Sequence, residues 1–272
     1  MHTDTFGPYA GSEHVLHKRK RKYIEYGDLV PCPVQWEKET VNFSCYNIQA
    51  AIPSLDLHYP NKDLRTPLTI AIDRGDSQIL ALIIDKIPTD LDSTMTQSCG
   101  KSALMHASYF SGNLEILQIL LKKGVDLYKR DIRGWNCLYY AIVGRKIENV
   151  EFLLKSGLNV NSEDELGRTP LMISVFLSTF DIFSLLLDHD ADVHKQDKFG
   201  FTAIELAILR RNRDCVISLM KKGSDLRKVT PFSRNTILQL AQERMSDILP
   251  AVRSNKRSLK TLSLKENMKY NF

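Results

Sequence analysis

Asp164-Glu165-Leu166-Gly167-Arg168-Thr169-Pro170-Leu171 opens a stretch that closes with Asp190-Ala191-Asp192-Val193 and runs on to Asp197. Thr169-Pro170 suits the start of a helix, because the Thr hydroxyl accepts from free amide groups and Pro sits well at the first helical position. Leu171, Ser174 and Val175 then recur at helical spacing. A second apolar set (Phe180, Phe183, Leu186, Leu187) makes another short helix, and the polar, hairpin-like segment after it leads back to a Gly. The stretch is one structural unit: two helices and a turn.

The unit recurs. Thr66-Pro67-Leu68, Ser102-Ala103-Leu104, Asn136-Cys137-Leu138, Thr169-Pro170-Leu171, Thr202-Ala203-Ile204 and Thr236-Ile237-Leu238 begin successive copies, in steps of 36, 34, 33, 33 and 34 residues. Five residues after each start stand Ala71, Ala107, Ala141, Ser174, Ala207 and Ala241. A small residue recurring at one register predicts two helices in close approach there. The closing pieces agree: Gly124, Gly157 and Gly223 each follow an apolar and basic helix end, where Gly supplies the left-handed residue that ends a helix.

This pattern resembles the ankyrin repeat, whose period and Thr-Pro-Leu opening it shares. The resemblance covers about residues 62–250 and implies an all-α solenoid of five to six stacked helix pairs joined by β-hairpin-like turns. The repeats divide as 62–97, 98–130, 131–163, 164–196, 197–229 and a short C-terminal cap at 230–250. In the second repeat Ser111-Gly112-Asn113 adds one residue between the helices. In the fourth, Ser178-Thr179 replaces the usual inter-helix Gly and Asp190 the closing one. Residues 31–61 read as a degenerate N-terminal cap, residues 1–30 as a flexible basic segment and residues 251–272 as a flexible basic tail.

Bulk properties set the class of partner. The formal net charge of +5 is concentrated in residues 251–272, which hold six Lys or Arg against one Glu. The repeat body is close to neutral, which gives no general grip on nucleic acid. The longest wholly apolar run, Ile79 to Ile84, is too short to cross a bilayer, and residues 1–5 lack the apolar core of a signal peptide. The 5 cysteines are odd in number and widely spaced, which fits a reducing compartment rather than a disulfide framework or zinc site. These features predict a soluble intracellular protein, cytoplasmic with the nucleus as the alternative, that does not insert into membranes.

No enzyme signature is present. There is no Gly-rich phosphate loop, and His106, His189 and His194 have no metal-ligand spacing. His106 is expected on a helix face, packed or hydrogen-bonded. Asp190 with Asp192, and Glu163-Asp164-Glu165, lie where ankyrin hairpins place polar residues. The expectation is therefore a chain without catalytic residues, metal, cofactor or small-molecule substrate, whose partners are proteins.

In the family the resemblance points to, partners contact the hairpin tips and the outward positions of the first helix, which together line a concave side. Carried onto this chain, those places hold Lys101, Tyr109, Phe110, Arg133, Trp135, Tyr139 and Val143 in the second and third repeats. The fourth and fifth supply Glu165, Arg168, Phe176, Leu177, Lys198, Phe199, Phe201, Glu205, Leu209 and Arg210. Trp135, Phe176, Phe199 and Phe201 matter most. Residues flanking a hairpin Gly are expected to be exposed, and large aromatics carry much of the energy in interfaces; the alternative is that neighbouring hairpins or a terminal segment fold over them. Arg168 and Arg210 are expected to orient an acidic or polar rim.

The resemblance implies an adaptor or scaffold. Its rivals are a nuclear regulator, similar to the NF-κB inhibitors, that masks a transcription factor, and a substrate-recognition subunit of a ubiquitin ligase. The run Lys18-Arg19-Lys20-Arg21-Lys22 has three readings: an import signal, a phosphate-binding patch or a solubilising tail.

Overall fold

The computed structural model describes residues 66–86, 91–94, 100–230 and 235–245. The basic runs at both ends and the 31–61 segment lie outside these residues. Each opening triplet becomes a helix that begins one residue after the polar residue: α1 (Pro67–Arg74), α3 (Ala103–Phe110), α5 (Cys137–Val143), α7 (Pro170–Phe176), α9 (Ala203–Leu209) and α11 (Ile237–Arg244). The local cause is capping. Thr66, Ser102, Asn136, Thr169 and Thr236 each accept a backbone N–H from the first turn of the helix they precede. Thr202 uses the reciprocal half of the same device, its N–H and hydroxyl both donating to Glu205 Oε2 at 2.7 Å.

Every first helix but α11 is followed by a described second helix: α2 (Ser77–Lys86), α4 (Leu114–Lys122), α6 (Ile147–Lys155), α8 (Phe180–Asp188) and α10 (Arg213–Lys221). A 3-10 turn, Leu91–Thr94, lies between α2 and α3. First helices pack on first helices and second on second, while each first helix also packs on the second helix of its own repeat. The described part is thus a two-layer all-α stack with no strand among the described residues, only an isolated bridge between Val229 and Thr236.

The recurrent small residues lie in the seam. Ala71, Ala107, Ala141, Ser174, Ala207 and Ala241 are all buried. α3 and the end of α5 approach closely. A Cβ added at Gly144 would stand 2.4 Å from the Tyr109 carbonyl oxygen, so the backbones touch where only Gly fits.

Inter-helix turns use one left-handed residue per repeat: Gly75, Arg145, Ser178 and Arg211, with φ between 54° and 67°. The second repeat departs from this, as its extra residue requires. With Ser111-Gly112-Asn113 the chain turns with Ser111 at φ −73°, and Asn113 caps α4. Asp190 (φ 60°) takes the left-handed position that Gly124, Gly157 and Gly223 fill elsewhere, as its register predicts. In the last described helix, Gln239, Gln242 and Glu243 are exposed.

Candidate protein-binding face

Hairpins build one edge of the stack, and an Asp builds three of them, while Thr230 closes the turn before α11 by donating its N–H to the Asn235 carbonyl. Asp131, Asp164 and Asp197 recur at the repeat period. Each Oδ1 accepts the N–H two residues on (Arg133, Leu166, Phe199) and the N–H four residues on (Trp135, Arg168, Phe201), at 2.8 or 2.9 Å. The Asp N–H donates in turn to the carbonyl four residues ahead. Asp and the residue after Gly therefore pair across the base of the loop, and the two residues after Asp, with Gly, form its tip. Neighbouring tips are stitched by Glu165 N–H to Arg133 O and Lys198 N–H to Leu166 O.

This geometry corrects the sequence expectation. Only one of the two residues flanking each Gly is a tip residue. Phe199, before Gly200, is 37 % exposed, whereas Phe201, after it, is 4 % exposed and Trp135 is 1 % exposed. Trp135 stacks on Tyr139 with ring centroids 5.6 Å apart, and its indole N–H donates to Asp164 Oδ2 at 3.0 Å. Arg168, expected at the rim, is buried and donates from Nε to that same oxygen at 2.8 Å, with Nη2 alongside. Tyr139 is also buried. Its hydroxyl lies 2.7 Å from the carbonyl oxygens of Ser162 and Arg168, one of which takes its proton. Burial and the nearby Asp164 carboxylate push this phenol above the usual tyrosine range. Trp135, Tyr139, Arg168 and Phe201 hold repeats together rather than face solvent. Lys101 and Glu205 are buried as well.

A ladder of cations and rings runs through the second and third repeats. Lys101 Nζ lies 5.0–5.6 Å from the ring centres of Tyr109, Phe110 and Tyr140. Arg133 lies 4.3 Å from the Trp135 ring centre, bonds Asp131 Oδ2 through Nε and Nη2, and reaches the Tyr140 hydroxyl at 2.8 Å. Such contacts stabilise a cation held away from water. His106 is packed as expected: it is buried, and its Nε2 lies 2.7 Å from Asp73 Oδ1.

The remaining sequence-predicted residues do reach the surface, on the hairpin tips (Arg133, Glu165, Lys198 and Phe199) and at two adjacent registers that end the first helices. Tyr109, Val143, Phe176 and Leu209 stand seven residues after the cap, at the ends of four successive first helices, and are half-buried. Phe110 and Leu177 follow at the next position, also half-buried, and Arg210 is exposed with its guanidinium 3.6 Å above the Phe176 ring centre. Sequence reasoning missed Ile132, which at 72 % exposure is the most open apolar side chain of the described hairpin tips. Its register was the signal, since it stands directly after the hairpin Asp, as Glu165 and Lys198 do.

Among the described residues no helix is long and apolar enough to cross a membrane, and no cluster of His, Cys, Asp and Glu could hold a metal ion. Both described thiols are shut in: burial pushes Cys137 and Cys215 up to about 12.

Among curated proteins none matches the chain. The family model for ankyrin repeats (three copies) matches in four overlapping windows, residues 42–131, 68–164, 104–197 and 138–230. Together they span more than half of the sequence and include every hairpin and helix pair described above up to the last. Ankyrin repeats bind proteins as a class, and the chain belongs to the ankyrin repeat proteins.

Proposed function

We propose that this protein is a non-catalytic adaptor that holds a partner protein along the ends of its first helices and its hairpin tips. One observation carries the reading: the apolar row Tyr109, Val143, Phe176 and Leu209, continued by Phe110 and Leu177, at the C-terminal ends of α3, α5, α7 and α9, where packing leaves them partly open. The preceding positions of α3, α5, α7 and α9 are committed to the core, from Ala103 to Ser108, Cys137 to Ile142, Pro170 to Val175 and Ala203 to Ile208. An apolar row on four successive repeats is the kind of surface that a partner covers.

The test is affinity capture with the full chain beside a Tyr109→Ala/Leu177→Ala variant, followed by titration of each captured protein. A residue central to an interface costs roughly 2 kcal/mol or more on truncation, about a thirtyfold loss of affinity. Captured proteins that bind both forms alike would remove the row from the interface.

A second reading, a nuclear regulator masking a transcription factor, is favoured by the run Lys18 to Lys22. Deleting those five residues should empty the nucleus of the protein if they are an import signal, and an unchanged distribution would discard that role.

A further inference from the structure

Phe176 and Leu177 are flanked by two arginines that come from different repeats. Arg210, which follows α9, places its guanidinium carbon 3.6 Å from the Phe176 ring centre. Arg145, in the turn between α5 and α6, donates from Nη2 to the Leu177 carbonyl at 3.2 Å. Both arginines are exposed, and Phe176 and Leu177 are half-buried between them. A guanidinium stacked on a ring keeps its N–H edges in its own plane, the geometry that meets a carboxylate with two parallel bonds.

The surrounding charge is one-sided. The four inter-helix turns at 109–112, 143–146, 176–179 and 209–212 carry Arg145, Lys146, Arg210 and Arg211 and no acidic residue. The nearest acids in sequence, Glu115, Glu148, Asp181 and Asp214, lie in the first turns of the second helices, where a carboxylate complements the positive helix end. Two of these cations also occupy strained backbone. Arg145 and Arg211 sit at φ 56° and 54°, the register at which the first repeat has Gly75. A long cationic side chain is kept where Gly would be relaxed.

We infer that Arg145, Phe176, Leu177 and Arg210 form a clamp for an extended acidic segment of a partner protein, one whose carboxylates flank an apolar side chain. The apolar side chain rests on Phe176 and Leu177, and one carboxylate meets each guanidinium. First helices packed at about 8–10 Å place the third and fifth repeats roughly 16–20 Å apart. An extended strand rising about 3.3 Å per residue covers that distance in about five to six residues. The inference rests on the protein-binding role proposed above and names the chemistry of its partner.

The experiment pans a display library of random peptides, about twice that length, against the full chain. The enriched peptides are then synthesised and titrated by fluorescence anisotropy. Four variants are compared with the unaltered protein: Arg145→Asn, which tolerates the left-handed backbone, Arg210→Ala, Tyr109→Ala/Leu177→Ala, and Lys122→Ala as a cation on the outer layer. Circular dichroism melts check that each is folded. The expected peptides carry Asp or Glu on both sides of an aliphatic or aromatic residue. Each arginine variant weakens them about tenfold or more, the loss shrinks at high salt, and Lys122→Ala leaves binding unchanged.

Peptides without acidic residues, or peptides that bind both arginine variants as tightly as the unaltered protein, overturn the clamp. If those same peptides are lost with Tyr109→Ala/Leu177→Ala, the docking row stands without it. No enrichment, or binding indifferent to all variants, overturns the clamp and the docking row together.

Discussion

Replacing Asp164 with Ala tests the mechanism by which neighbouring repeats are locked. Its side chain is fully shielded from solvent, and that of Arg168 is 6 % exposed. Oδ1 accepts the N–H groups of Leu166 and Arg168, and Oδ2 accepts the Trp135 indole at 3.0 Å together with Nε and Nη2 of Arg168. The substitution leaves a buried guanidinium, an indole N–H and two amides without their acceptor. Hydrogen bonds to a charged group contribute about 1.5–3 kcal/mol each, but they share one carboxylate and water enters when it is removed. Breaking a buried ion pair from one side costs about 3–5 kcal/mol, and that is the expected loss here. Urea unfolding followed by far-ultraviolet circular dichroism measures it. Fluorescence of Trp135, one of 2 tryptophans in the chain, reports on the hairpin. Trp135→Phe on top of Asp164→Ala should add less than it costs alone, since the indole bond is already gone. A loss below about 1 kcal/mol, the ordinary mutational effect, or full additivity of the pair, would refute the assigned network.

Three further perturbations probe the backbone and the thiols. Gly144→Ala should cost about 1–3 kcal/mol, because its Cβ would stand 2.4 Å from a backbone oxygen, while Gly112→Ala, with only the far end of Lys146 at 3.9 Å, should change the denaturant midpoint little. Asp190→Gly should raise stability by about 0.5–1 kcal/mol, the left-handed strain relieved less the backbone entropy that Gly adds to the unfolded chain. Cys137 should resist alkylation in the folded protein at pH 8 and react once denaturant is added. Its thiol is pushed up to about 12, so the folded state holds a proton that the unfolded chain releases near pH 9. The stability it contributes is therefore present below that pH and falls as pH rises toward 12, in denaturant midpoints measured from neutral to alkaline buffer.

The fold was legible because its signals are local. A polar cap before each first helix, a small residue five positions on and a closing Gly or Asp are read within one repeat, and all six caps lie where the sequence puts them. Even the exceptions were readable: the extra residue at Ser111-Gly112-Asn113 and the left-handed Ser178 and Asp190 follow from counting. The site was legible only in part. Whether Trp135 faces solvent depends on Asp164, 29 residues away, and on a base pair of the hairpin that aims the residue after Gly inward. Periodicity identifies the register but not the direction of a side chain at it. Ile132, by contrast, stood at a readable register, directly after the hairpin Asp as Glu165 and Lys198 do.

The direct test of the binding role is hydrogen exchange on the full chain with and without a purified partner obtained by capture. Amides of the inter-helix turns at 109–112, 143–146, 176–179 and 209–212, and of the tips at 132–133, 165–166 and 198–199, are expected to slow on binding. Slowing confined to the outer helices α4, α6, α8 and α10, with the turns and tips unchanged, would contradict the proposed face.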